Sequence, residues 1–142
     1  MEVRQLMTPG AVSVEPDSSA ALAARLLSRH NVGALPVCSQ DGRLRGMVTD
    51  RDIVLRCVAA EEDPAQTPVR DIMTRRPVSV EPGEDCAAAA RMMARMQVRR
   101  LPVVEKGKLV GMVSLGDLAR SGRMEMEAAQ ALSEISENII KR

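Results

Sequence analysis

At 142 residues, with 45% hydrophobic and 27% charged side chains, the chain can bury a substantial core and is too apolar to be disordered. Its formal net charge of +1 excludes a polybasic nucleic-acid binder and an acidic interaction tail. It contains no Phe, Tyr or Trp, so its core must be built from Leu, Val, Ile, Ala and ten Met residues, and no aromatic platform exists for single-stranded bases.

Read in order, the chain repeats itself. Val3-Arg4-Gln5-Leu6-Met7-Thr8 returns as Val69-Arg70-Asp71-Ile72-Met73-Thr74, and Val12-Ser13-Val14-Glu15-Pro16 returns unchanged as Val78-Ser79-Val80-Glu81-Pro82. Leu35-Pro36-Val37 is matched by Leu101-Pro102-Val103, and two copies fill the chain. In each copy, Val12–Val14 or Val78–Val80 predicts a short strand ended by Glu-Pro. Asp17 or Ser18 is expected to cap a helix reaching His30, with Ala23, Leu26 and Leu27 inward and Arg25 and Arg29 outward. The equivalent entry is Gly83-Glu84-Asp85, and the inward stripe is Ala89, Met92, Met93 and Met96. His30 aligns with Met96 and is expected to be a half-buried packing residue.

Two strands follow, joined by a tight Gly-containing turn: 34–39 and 44–49 in the first copy, 101–105 and 109–114 in the second. A helix is expected over 51–60, and a shorter one over 116–120. The unit is thus β-α-β-β-α, an α/β (α+β) arrangement. Neither copy has enough apolar surface to stand alone, so the two should pack through their sheets about a pseudo-twofold axis.

The predicted boundaries are 1–60 for the first repeat, 61–68 for an acidic, proline-containing linker and 69–122 for the second repeat. A helical tail occupies 123–142. Its apolar stripe is Met124, Ala128, Leu132, Ile135 and Ile139, which needs cover from its own domain or from a second protomer.

The most informative stretch is Gly46-Met47-Val48-Thr49-Asp50-Arg51-Asp52, which recurs as Gly111-Met112-Val113-Ser114-Leu115-Gly116-Asp117. Each copy places a hydroxyl residue at a strand-to-helix turn and an Asp in the first helical turn. A hydroxyl can bond a phosphate or an alcohol there, and a carboxylate can accept from two sugar hydroxyls; the helix end itself suits an anion. The same spacing is also that of a capping device, which needs no ligand.

Cys38, Cys57 and Cys86 have no metal-type spacing and only His30 to help them, which reads as free, buried thiols in a reducing compartment. A Cys38–Cys86 bridge or a metal site is the alternative. No apolar run is long enough to span a membrane and 1–5 do not open a signal peptide, so a cytoplasmic protein without membrane contact is expected. No Walker A loop, GxGxxG motif or nucleophile–base pair is present, so no catalytic residue is assigned and an enzyme is not expected.

The ordered, duplicated series Met-Thr, Val-x-Val, Leu-Pro-Val and Gly-Met-Val-[Thr/Ser]-x-x-Asp resembles a tandem pair of CBS (cystathionine β-synthase-type) domains, a Bateman module of the stand-alone bacterial type. The resemblance covers residues 3–121. It implies a regulatory module binding an adenosine-containing ligand such as AMP, ADP or ATP in clefts between the repeats, with no cofactor required and no metal. The motif carboxylates Asp52 and Asp117 would bind ribose, while Thr49, Ser114, Arg99 and Arg100 would hold phosphate or ribose. Val12, Val78, Leu35, Pro36, Leu101, Pro102, Ile53 and Leu118 would form the adenine slot. The resemblance further implies a homodimer and a protein target that reads the ligand state. The alternative is a structural interaction module with vestigial clefts.

Overall fold

The computed structural model describes the backbone of residues 1–140 and the side chains of residues 1–137. The chain forms two compact units, and they are not the two sequence repeats. The first unit is Val12–Pro77; the second combines Met1–Ala11 with the chain from Val78 onward. Each repeat's opening segment is therefore built into the unit that holds the body of the other repeat.

In the first unit, α1 (Ala20–His30) packs with a three-stranded antiparallel sheet of β2 (Ala34–Cys38), β3 (Leu44–Thr49) and β4 (Thr74–Arg75), in the order β2-β3-β4. β4 carries no sequence signal, being a two-residue strand with both residues exposed and hence no alternating pattern. Gly46 admits it. A Cβ at Gly46 would lie 2.7 Å from the Thr74 carbonyl oxygen and 2.7 Å from Met73 Sδ. Val12–Val14 is correspondingly reduced from the predicted strand to a single parallel bridge, Val14 to Val37. Val14 donates to the Pro36 carbonyl and accepts from the Cys38 N–H, after which Glu15 and Pro16 turn the chain away.

Ser19, one residue beyond the expected caps, accepts from the Leu22 N–H at 3.1 Å. Ala20, Ala23 and Leu27 form the buried stripe of α1. His30 is exposed, not half-buried, and Met96 in the matching helix is 46% exposed. Both helices end at that point in a left-handed residue, Asn31 or Gln97, and the last two residues of each helix are exposed.

The 61–68 segment does more than connect. The Thr67 and Pro64 carbonyls accept from the Ala20 and Ala21 N–H groups at 2.8 and 3.0 Å, satisfying orphan donors of α1, and Thr67 is buried. In the second unit the chain start plays that part, the Met1 carbonyl accepting from the Cys86 N–H at 2.9 Å.

The helix expected over 51–60 is α2 (Asp50–Ile53), continued by a π-helical stretch (Val54–Val58). This stretch turns Cys57 into the core and leaves Val54, Leu55 and Val58 exposed.

The second unit has β1 (Thr8–Pro9), β6 (Lys108–Ser114) and β5 (Arg100–Glu105) in the order β1-β6-β5, with α3 (Cys86–Met96), α4 (Leu115–Arg120) and α5 (Glu125–Ile140). Gly111 stands in for Gly46, its missing Cβ leaving room for the Thr8 carbonyl oxygen at 2.8 Å. The tail helix α5 is covered by its own unit, packing on α3 and α4. Its buried face is Ala128, Ala131 and Ile135, with Met124 buried just before the helix; Leu132, expected in the stripe, is exposed because Ala131 takes the inward position. The predicted Ile139 lies outside the residues whose side chains are described.

Candidate functional site

The duplicated motif places one candidate site in each unit. At the end of β3, Thr49 is the N-cap of α2, with extended backbone. Its N–H donates to Asp52 Oδ2 at 2.9 Å, and the Asp52 N–H donates back to Thr49 Oγ1 at 3.0 Å. At the end of β6, Ser114 and Asp117 repeat this, with bonds of 2.9 and 3.1 Å. Both motifs are therefore complete capping boxes. The hydroxyl oxygens and one carboxylate oxygen of each pair already serve the helix start.

The second oxygen, Oδ1, is where the sites differ. The side chains of Asp52 and Asp117 are only 13% and 15% exposed. Arg56 Nη1 stands 3.9 Å from Asp52 Oδ1, too far for a hydrogen bond, because it donates to the Ile72 and Met73 carbonyls at 3.0 and 3.3 Å. Arg120 Nη2, by contrast, donates to Asp117 Oδ1 at 2.7 Å. Neither Arg56 nor Arg120 figured among the predicted site residues. The signal was available, since an Arg four or three residues after an Asp lies on the same helical face.

The basic candidates also differ between units. Arg100 opens β5 in register with Ser114, and the Arg99 carbonyl accepts from the Leu115 N–H at 2.9 Å, so the pair is tied to the start of α4. Arg99 is exposed and Arg100 half-buried, and among the described residues neither joins an ion pair. In the first unit, Gly33 and Ala34 hold these positions, and the Asp50 carboxylate lies 3.8–4.0 Å from the place a Gly33 Cβ would occupy. Of the arginines near each motif in sequence or register, the described contacts bring only Arg120 to Asp117 and only Arg56, at 3.9 Å, toward Asp52.

The expected adenine slot separates into two layers. Leu35, Leu101 and Leu118 are core residues at 1%, 1% and 0% exposure, with Ile53, Pro36 and Pro102 also buried. Leu35 and Ile53 belong to the core of the first unit, Leu101 and Leu118 to that of the second. Val12 and Val78 are half-buried and have surface left for a planar group. A separate apolar groove of about 290 Å³ between α4 and α5, lined by Leu115, Gly116, Ala119, Glu125, Ala128, Ala129 and Leu132, contains none of the predicted site residues.

The three cysteines are buried free thiols. Burial pushes the Cys38 thiol up, partly opposed by the Ser13 hydroxyl. Cys86 is also raised by burial, against the pull of the N-terminal ammonium. Among the described residues, no group of three or more His, Cys, Asp or Glu side chains could hold a metal ion. Among the same residues, no helix is long and apolar enough to cross a membrane.

Two small antiparallel sheets, each ending in a capped hydroxyl–carboxylate turn, are the features that comparison with known proteins places in a family. Residues 3–58 and 69–123 each match the CBS domain model, so the chain belongs to the CBS family and carries two copies of the domain. The CBS domain-containing protein YhcV of Bacillus subtilis is 45% identical over 134 residues, 94% of either chain. Among solved structures, hypoxic response protein I with two coordinated zinc ions superposes with a TM-score of 0.80 at 35% identity, over 85% of this chain and 98% of that one. CBSX2 in complex with AMP does so with a TM-score of 0.76 at 30% identity, over 88% and 98%.

Proposed function

We propose that this CBS pair is a regulatory sensor of an adenosine-containing nucleotide, with no catalytic function and no cofactor requirement, acting in the cytoplasm. The observation that carries the reading is the pair of mostly buried carboxylates, each with one oxygen committed to its cap and the other directed away from it. A carboxylate oxygen so placed can accept from a vicinal diol, and the Thr49 and Ser114 hydroxyls still have a proton to donate. Val12 and Val78 would flank the adenine, and Arg99 and Arg100 would take the phosphate. The AMP complex of CBSX2 supports this ligand class. Hypoxic response protein I holds two coordinated zinc ions; among the described residues here, no three or more His, Cys, Asp or Glu side chains are grouped to hold such an ion.

Binding would act by population shift: a ligand that contacts one conformational or oligomeric state better than another enriches that state, which a protein target then reads. The reading includes self-association. Val54, Leu55 and Val58, 54%, 50% and 58% exposed, form an apolar row on the α2 extension that a second copy would cover. Sedimentation of Leu55→Glu beside the parent protein tests that element, with a monomer expected for the variant.

A second reading is favoured by one specific observation. Both motif pairs form complete capping boxes, so the Asp residues have a role even in an interaction module whose sites bind nothing. Thermal unfolding with AMP, ADP, ATP, S-adenosylmethionine, NADH and cyclic di-AMP separates the two. A ligand that binds only the folded state must raise the midpoint, by about 2.7 kcal/mol of stability at a hundred times its Kd. Circular dichroism is the signal, as the chain has no aromatic side chain to fluoresce. No rise with any ligand favours the interaction module.

A further inference from the structure

We propose that Arg120 guards the Asp117 site, making it weaker toward a ribose diol than the Asp52 site, whose corresponding oxygen is unguarded. The inference rests on the nucleotide-sensor reading above and concerns how its two sites are graded. Arg120 Nη2 donates to Asp117 Oδ1 at 2.7 Å, while Oδ2 is held by the Ser114 N–H. Both oxygens of Asp117 are therefore engaged before any ligand arrives. A vicinal diol needs these lone pairs for its two O–H donors and must share them with, or expel, the guanidinium.

Gly116 makes the guard geometrically feasible. A Cβ added there would lie 3.0 Å from Arg120 Nη1, so the guanidinium crosses the space that a side chain would fill. In the first unit Arg51 stands at the position of Gly116 and Leu55 at that of Arg120, so the arrangement cannot form. Arg56, one residue later, is held back by the Ile72 and Met73 carbonyls and stops 3.9 Å from Asp52 Oδ1. The two sites thus share their carboxylate and hydroxyl but differ in whether a cation occupies the acceptor.

The size of the effect follows from exposure. The Arg120 side chain is 73% exposed, so its ion pair is of the weak surface kind. Such a pair corresponds to a factor of about 1.5–5 in a binding constant. The guard grades affinity and does not close the site.

Adenosine is the probe, because it presents the diol without a phosphate that could give Arg120 a new partner. Calorimetric titration is made in an Asp52→Asn background, which leaves the Asp117 site, and in an Asp117→Asn background, which leaves the other. Adding Arg120→Gln should tighten adenosine about 1.5–5-fold in the first background and leave it unchanged in the second. The gain should shrink in 0.5 M NaCl, where exposed charges are screened. Unchanged or weaker binding in the Asp52→Asn background, or equal tightening in both, overturns the guard while leaving the sensor reading intact. Absence of adenosine and AMP binding by every protein, the parent included, overturns both.

Discussion

Replacing Gly46 by Ala tests whether the first residue of the repeated motif is there for packing or for ligand. The added Cβ would approach the Thr74 carbonyl oxygen and Met73 Sδ to 2.7 Å each. Ordinary carbon–oxygen contact begins near 3.4 Å, so the overlap is roughly 0.7 Å, and one of the two atoms belongs to the backbone of the paired strand. Sulfur can swing aside; β4 must shift as a whole. Overpacking of this kind costs about 1–3 kcal/mol, offset by about 0.4–1 kcal/mol because Ala restricts the unfolded chain. The net loss of about 1–2 kcal/mol should lower the thermal midpoint by about 3–6 °C for a chain of this size. Gly33→Ala is the internal control: its Cβ would meet only the Asp50 carboxylate at 3.8–4.0 Å, an ordinary contact. It should leave the midpoint unchanged or raise it. Melts followed by circular dichroism at 222 nm, with urea titrations to check the slope, read both variants. A Gly46→Ala protein as stable as its parent, or a Gly33→Ala protein that falls as far, would refute the reasoning.

Thr49→Ala removes the acceptor for the Asp52 N–H and should cost about 1 kcal/mol without ligand, whereas Asp52→Asn keeps an acceptor for the Thr49 N–H and should cost less. If Asp52 serves a ribose as well as a cap, Asp52→Asn loses more of the AMP-dependent midpoint rise than Thr49→Ala does, the reverse of their ligand-free order. The buried thiols give a pH prediction. Burial raises Cys38 and Cys86 in the folded protein, so the native state holds their protons longer than the unfolded chain does. Their contribution to stability is complete below the free thiol value of about 8.5 and declines as pH rises above it. Urea midpoints should fall between pH 8 and 10, and fall less in a Cys38→Ala, Cys86→Ala protein.

The residues show what a single sequence can disclose. The duplication, the strand pairs within 34–49 and 101–114, the apolar stripe of the tail helix and the hydroxyl–carboxylate turns were all legible, because each rests on a local pattern or on a motif seen twice; what covers the tail's stripe was not. The capping alternative was equally legible, and Thr49–Asp52 and Ser114–Asp117 are indeed capping boxes. Hidden were the features that depend on distant chain. Thr8–Pro9 and Thr74–Arg75 are strands only because Gly111 and Gly46 receive them, and two exposed residues carry no periodicity. Assignment of 1–11 and 69–77 to the opposite unit is a long-range pairing that no local propensity encodes. Val12–Val14 read as a strand from its β-branched residues, yet its pairing ends after one bridge. Asp85 and Ser19 cap α3 and α1, but only the first lies among the entry residues read from the sequence. Arg120 lies on the helical face of Asp117, but its contact with Oδ1 depends on the missing side chain at Gly116, which no local pattern encodes.

The most direct test of the central claim is a calorimetric titration of AMP into the parent protein and into an Asp52→Asn, Asp117→Asn double variant whose fold is verified by circular dichroism. The account predicts saturable binding to the parent and its loss in the double variant. Undiminished AMP binding by the double variant, or none by the parent, would contradict it.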